Sequence, residues 1–199
     1  MDFFETVHTQ KAMRRLKPDP VPDELLWKIL DAAICAPNGS NQQPWNFIVV
    51  RDPEIKRQLQ ALYVEGVATV TRPREAPSDL RMTRSARYLI EHLAEVPVLI
   101  VATVRLEDVA SVTPPGACIY PALQNLMLAA RALGLGTTLT TAHRGCEEKV
   151  RALLRVPDGV ETMAMIPLGW PEGRFGPPPR RPAEEVAYWD GWGVTRPRG

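Results

Sequence analysis

The stretch that most constrains this chain runs over residues 32–50, Ala-Ala-Ile-Cys-Ala-Pro-Asn-Gly-Ser-Asn-Gln-Gln-Pro-Trp-Asn-Phe-Ile-Val-Val. It reads as a helix end, a tight polar loop and a strand. Pro37 cannot continue a helix, so the apolar run before it stops there. Asn38-Gly39-Ser40-Asn41 is turn chemistry, in which Gly39 tolerates positive φ and the Asn side chains bond to nearby backbone. Phe47-Ile48-Val49-Val50 is an unbroken β-forming run, which predicts a strand buried on both faces. A polar loop at the mouth of a buried strand can hold a ligand, or it can be an ordinary connection. The residues alone leave both open.

Upstream, residues 2–15 predict a first helix, opened by a capping-box-like Asp2-Phe3-Phe4-Glu5 and closed by the positive charge of Lys11, Arg14 and Arg15. A second helix is predicted from about Asp23 to Ala36, with Leu26, Ile29, Leu30 and Ala33 on one face. Downstream, Asp52-Pro53-Glu54 starts a third helix with Ile55, Leu59 and Leu62 facing inward. Residues 64–77 predict a long loop. Ser78-Asp79 caps a helix reaching about Leu93, and residues 97–104 form a second buried strand. After a loop over 106–116, Ala117 to Leu133 carries apolar residues at helical spacing. Pro121 fits if it sits in the first turn, and Gly134 is placed as the C-cap. Thr137–Thr141 predicts a β-branched strand with hydroxyls on both faces. A short helix over 146–154 and a strand over Val160–Leu168 follow.

Beyond Gly169 the chain is Pro-rich, with Pro171, Pro177, Pro178, Pro179 and Pro182. Such a tail cannot build a core. Trp189 and Trp192 argue that it extends over a surface. The expected organisation is therefore a domain over 1–171 and a tail over 172–199. Several helices separate successive strands without regular βα alternation, and this predicts an α+β fold with a mixed sheet.

The totals narrow the function. With 24 Lys plus Arg against 23 Asp plus Glu, the net charge of +1 gives no reason to expect a nucleic-acid partner. No apolar run approaches the ~20 residues of a membrane span. Asp2 and Glu5 do not suit a secretory signal, so a cytoplasmic location is expected. Cys35, Cys118 and Cys146 are widely spaced and read as reduced thiols. Cys146 with His143 gives two candidate ligands, too few for a zinc site, and no metal is expected. Gly134-Leu135-Gly136 follows a helix, the wrong order for a Rossmann turn.

Residues 36–47, Ala-Pro-Asn-Gly-Ser-Asn-Gln-Gln-Pro-Trp-Asn-Phe, resemble the A-P-S-x-x-N-x-Q-P-W-x-F signature of the FMN-dependent nitroreductase superfamily. Three further stretches agree in order. Gln10-Lys11-Ala12-Met13-Arg14-Arg15-Leu16 is similar to the family's R-R-S-x-R-x-F. Residues 117–141 resemble its central helix and Thr-rich strand. Ile166-Pro167-Leu168-Gly169-Trp170-Pro171, followed by Arg180-Arg181-Pro182, resembles its closing P-x-G-Y-P and basic pair.

The resemblance implies a nitroreductase-like α+β fold, a mostly antiparallel mixed sheet surrounded by helices, in an intertwined homodimer. It implies FMN at each interface, NAD(P)H as reductant, and hydride transfer in ping-pong fashion through flavin N5 to a small aromatic or quinone-like acceptor. Arg14 would lie near flavin N1–O2, where a cation favours the reduced form. Gln10, Lys11 and Ala12 would line the phosphate side, with Arg180 and Arg181 near the phosphate itself. Pro37, Asn38, Gly39 and Asn41 would line the flavin at the opening loop. Leu139, Thr140 and Thr141 would follow the ring, with Thr141 nearest N5. Arg14 and Thr141 are the catalytic candidates. Two departures bear on the phosphate: Gln10 stands where the family has Arg, and Ala12 where it has Ser. They keep a non-enzymatic flavin-binding role in view. A flavin-destroying lyase, known in the same superfamily, is the other alternative.

Overall fold

The computed structural model describes residues 2–70, 80–109 and 113–197, with the backbone alone for 80–82. Four strands form one sheet in the order β1-β2-β4-β3: β1 (Trp45–Val50), β2 (Val98–Arg105), β3 (Gly136–Thr137) and β4 (Val160–Gly169). Every ladder between them is antiparallel. The parallel component is a single bridge, Ala12 to Thr137. Among the described residues six helices surround the sheet: α1 (Phe3–Thr9), α2 (Asp23–Ile34), α3 (Pro53–Val70), α4 (Leu80–His92), α5 (Pro115–Ala132) and α6 (Glu147–Leu154). The α+β expectation therefore holds.

The two faces of the sheet bury separate cores. One gathers Leu26, Ile29 and Ala33 of α2 with Ile119, Leu123 and Leu126 of α5 against Ile100, Ala102 and Ile166. The other packs Leu59 and Tyr63 of α3 and Leu89 of α4 against Leu99, Val101 and Met165. β2 alternates between these cores, which is why nearly all of it is buried. α5 ends as the sequence predicts. Gly134 has φ +81°, its N–H donates to the Arg131 carbonyl, and the Leu135 N–H donates to that of Ala130, so the last carbonyls are capped.

The structure corrects the sequence reading at several points. α1 stops at Thr9, not near residue 15, although Asp2 caps it as expected by accepting from the Phe4 and Glu5 amides. Residues 10–17 are pulled out straight by tertiary pairing. The Met13 N–H donates to the Thr137 carbonyl and the Lys17 N–H to that of Trp170, both at 2.8 Å, while Met13 and Leu16 bury. Lys11, Arg14 and Arg15 are thus not helix-end charges. β1 is an edge strand, buried only at Trp45 and Val50, because no second neighbour covers it. α3 continues to Val70 through the start of the predicted loop. The rest of that loop and the Ser78-Asp79 cap lie outside the described residues.

Pro121 falls in the second turn of α5, not the first. It removes the donor to the Ala117 carbonyl, and the helix continues because residues on both sides of it bury in the core. The predicted strand Thr137–Thr141 survives only as β3 and an isolated bridge from Thr140 to Met165. Pro167, opposite the gap, has no N–H to offer there.

Candidate active site

The expected site residues divide into two groups on opposite edges of the sheet. One group is the N-terminal segment with the end of β3. The Ala12–Thr137 bridge and the Met13-to-Thr137 hydrogen bond at 2.8 Å pair the segment with the outer edge of β3, and Leu16 bridges to Pro171 just beyond β4. Thr140 is held from the other side by a pair of backbone hydrogen bonds with Met165, at 3.0 and 2.8 Å. Its hydroxyl meets the Tyr63 hydroxyl at 2.8 Å. Arg14, half-buried, stands close enough to Tyr63 for its charge to be felt there. Burial is the larger influence on Tyr63 and pushes its phenol pKa up, while the Thr140 bond and Arg14 pull it down.

Thr141 comes next and is exposed. Its carbonyl accepts from the Arg144 amide at 3.0 Å. Among the described residues neither its N–H nor its hydroxyl has a partner, so both are free to donate to a bound molecule. Leu139, half-buried, packs on the core beneath. Arg14 and Lys11 likewise form no ion pair with any described carboxylate. In contrast, Arg51, Arg57, Arg105, Arg144, Lys149 and Arg151 all do.

Gln10 and Ala12 add no charge. The Gln10 amide is directed at the Met127 sulfur, 3.8 Å away. The buried cation beside it is Arg131, 6% exposed, whose Nε donates to the Thr9 hydroxyl and whose guanidinium lies 4.0 Å from the centre of the Phe175 ring. That contact and the Glu172-to-Arg15 backbone bond lay the start of the tail on the N-terminal segment. Arg180 and Arg181 sit further along the tail and are exposed. Arg180 donates to the Pro179 carbonyl, and no hydrogen bond or ion pair joins either residue to Arg14.

The second group is the opening loop. Positive φ falls on Ser40, Asn41 and Gln43, and not on Gly39, the residue that tolerates it most readily. Three non-glycine residues in this region within four positions store strain, a condition common at binding loops. Asn38 steadies the turn by accepting from the Gln43 amide at 2.8 Å. Pro37, Gly39 and Asn41 are exposed, and the Cβ position of Gly39 lies 3.9 Å from the Thr113 hydroxyl. The loop leads into β1, whereas Thr141 follows β3. The two outer strands stand three spacings apart, about 14 Å. Two surface clefts, one along α3 at Arg57 and Gln60 and one between Glu65 and Glu161, contain none of these residues.

Tyr63 and Arg131 escaped the sequence reading. The available signal for Tyr63 was a tyrosine one turn beyond Leu59 on the inward face of α3. His143, fully buried beyond Thr141, has neither ring nitrogen in a hydrogen bond of good geometry. Burial lowers its pKa from 6.5 to about 4, against smaller opposing pulls from the Thr162 backbone and Glu147. The three thiols are free, and no cluster of metal-ligating side chains occurs among the described residues. No helix among them is long and apolar enough to cross a membrane.

Known proteins share this architecture. An NADH dehydrogenase of Thermus thermophilus is 31% identical over 194 residues, covering 90% of this chain and 92% of its own length. Iodotyrosine deiodinase 1 of Rattus norvegicus is 27% identical over 186 residues, spanning 85% of this chain and 62% of the deiodinase. A crystal structure of oxidized iodotyrosine deiodinase bound to FMN and 3-iodo-L-tyrosine superposes with a TM-score of 0.77 at 25% identity, covering 96% of this chain and 99% of that one. The model of the Nitroreductase family matches residues 8–170, and the chain belongs to that family.

Proposed function

We propose that the chain binds FMN and acts as an FMN-dependent NAD(P)H oxidoreductase on a small aromatic or quinone-like acceptor. The observation that carries this reading is the meeting of the basic N-terminal segment with the end of β3. In support, Arg14 is near enough to Tyr63 for its charge to be felt there, and Tyr63 meets the hydroxyl of Thr140, the residue before the unpartnered donors of Thr141. The residues fit an anionic, flat, nitrogen-rich group better than a metal or a neutral ligand. FMN supplies a two-electron carrier that takes hydride at N5 from NAD(P)H and yields it to the acceptor. Arg14 would hold the N1–O2 side of the flavin, where a cation favours the reduced form. Thr141 donates to N5 through its amide or hydroxyl. Lys11, Arg180 and Arg181 would supply the positive charge for the phosphate. Reductant and acceptor use the same opening in turn.

A second copy of the chain completes this site. The opening loop and Thr141 belong to opposite sheet edges, and a partner's loop can come to Thr141 where the chain's own loop does not. The exposed tail, with Trp189 at 49% and Trp192 at 91% exposure, suits a wrap around that partner. A domain over 1–171 with a tail over 172–199 is the corresponding organisation.

The second reading is a protein that holds flavin without turning it over. Gln10, turned toward Met127, and Ala12, without a hydroxyl, favour it because neither offers the phosphate a charge or a strong donor. One experiment separates the two. The purified protein is saturated with FMN, and NADH or NADPH oxidation is followed with a nitroaromatic or quinone acceptor. Catalytic turnover supports the oxidoreductase. Stable FMN binding without turnover supports the second reading, destruction of the flavin once it has been reduced and exposed to oxygen points to a lyase, and absence of FMN binding refutes all three.

A further inference from the structure

Tyr63 is 5% exposed and lies in the core between α3 and the sheet. A buried phenol needs a partner for its hydroxyl, and here that partner is the Thr140 hydroxyl at 2.8 Å. Thr140 immediately precedes Thr141. Its backbone is pinned to Met165, and its hydroxyl also faces the Ala142 amide at 3.5 Å. The Thr140 side chain therefore touches the chain on both sides of Thr141. One turn beyond Tyr63, Gly66 packs directly against the Ala142 backbone. The inward face of α3 is thus a bracket for residues 140–142.

We infer that Tyr63 is a positioning residue for the flavin edge: by holding the Thr140 hydroxyl it fixes the turn that presents the Thr141 donors. This rests on the proposed FMN site. A tyrosine that merely filled the core would be replaceable by phenylalanine without consequence for the flavin. The ring packs equally well, and half-buried Thr140 can turn its hydroxyl to water. A positioning tyrosine acts through one bond shared with Thr140, so removing either end has one and the same effect.

The test measures FMN affinity by fluorescence quenching and the midpoint potential of the bound flavin. The proteins are the full-length parent, Tyr63→Phe, Thr140→Val, the double variant and Thr140→Ser. Each hydroxyl deletion is expected to weaken FMN binding by about three- to tenfold and to move the potential to a common new value. The double variant should be no weaker than either single one, and Thr140→Ser should stay near the parent. Tyr63→Phe with parental affinity and potential overturns the inference, as does a double variant whose loss is the product of the two single losses. A parent that does not take up FMN overturns the flavin reading itself, and that outcome is distinguishable because it appears before any substitution.

Discussion

Replacing Gly66 by alanine tests the close approach of α3 to the turn after β3. A Cβ at Gly66 would lie 3.1 Å from the Ala142 carbonyl carbon, 3.4 Å from the His143 Cα, and nearer still to the Ala142 carbonyl oxygen. The opposing atoms are backbone and cannot rotate away. Gly145 presses from the other side, where its own Cβ would meet the Gly66 Cα at 2.9 Å. Ordinary carbon contacts need about 3.5–4.0 Å, so α3 and the turn over 142–146 must part by roughly an ångström. Overpacking of this kind costs about 1–3 kcal/mol. Alanine returns about 0.8–1 kcal/mol of helix propensity. Since the clash is with main chain, the upper part of the range applies, and a net loss of about 2 kcal/mol is expected. With a urea m-value of about 2–3 kcal/mol/M, the midpoint should fall by roughly 0.7–1 M, measured at one fixed protein concentration. FMN affinity should fall with it, because the displaced turn carries Thr141. A midpoint equal to or above the parent's would mean that helix propensity wins, and the bracket argument would fail.

Arg14→Ala should weaken FMN binding by about ten- to a hundredfold, from the roughly 1.5–3 kcal/mol of a charge-assisted contact. It should also make the flavin potential more negative, with Arg14→Lys recovering part of both; parental values in both assays would return Arg14 to the surface. The buried His143, held near pKa 4 against 6.5 when unfolded, is neutral in the fold, and the unfolded chain binds the extra proton first. Its contribution is therefore complete above pH 6.5, declines as the pH falls toward 4, and amounts to about 3 kcal/mol over that window. Urea midpoints of the parent and His143→Leu across pH 4–7 check this, and equal slopes in the two proteins would contradict it. Removal of residues 172–199 should abolish both the dimer and FMN binding, and a flavin-loaded monomer by sedimentation would refute the wrapped-tail organisation.

The parts of the fold that local rules dictate were legible. β2 and β4 are long apolar runs, α2 has an unmistakable face, and the Gly134 cap needs only its own φ. Elements decided by a distant partner were not. Residues 10–17 carry no local reason to be extended; they are straight because Thr137 and Trp170, far along the chain, accept their amides. Phe47–Val50 looks like a central strand from its composition and is an edge strand because of sheet order, a property of topology. The strain of the opening loop falls on Ser40, Asn41 and Gln43, where residue preference alone points to Gly39. Residue types marked Arg14 and Thr141 through the resemblance, whereas Tyr63 was hidden among the apolar positions of its helix.

The unequal treatment of the two sheet edges follows from the same topology. The outer edge of β3 is covered by the chain's own N-terminal segment, through Ala12 and Met13. The outer edge of β1 pairs with no other described residue, and Trp-Asn-Phe-Ile-Val-Val carries no charge to discourage association. Long uncharged edges of this kind invite a further chain. The strained opening loop stands just before that strand, and most described residues of the tail are exposed. A partner that covers β1 therefore also brings material to the opening loop. In the proposed dimer one association would serve both the open edge and the divided site, with Trp189 and Trp192 of the tail taking part in it. In this arrangement the flavin would be held by residues that no single chain can gather, and dimer formation and FMN binding would be coupled by mass action.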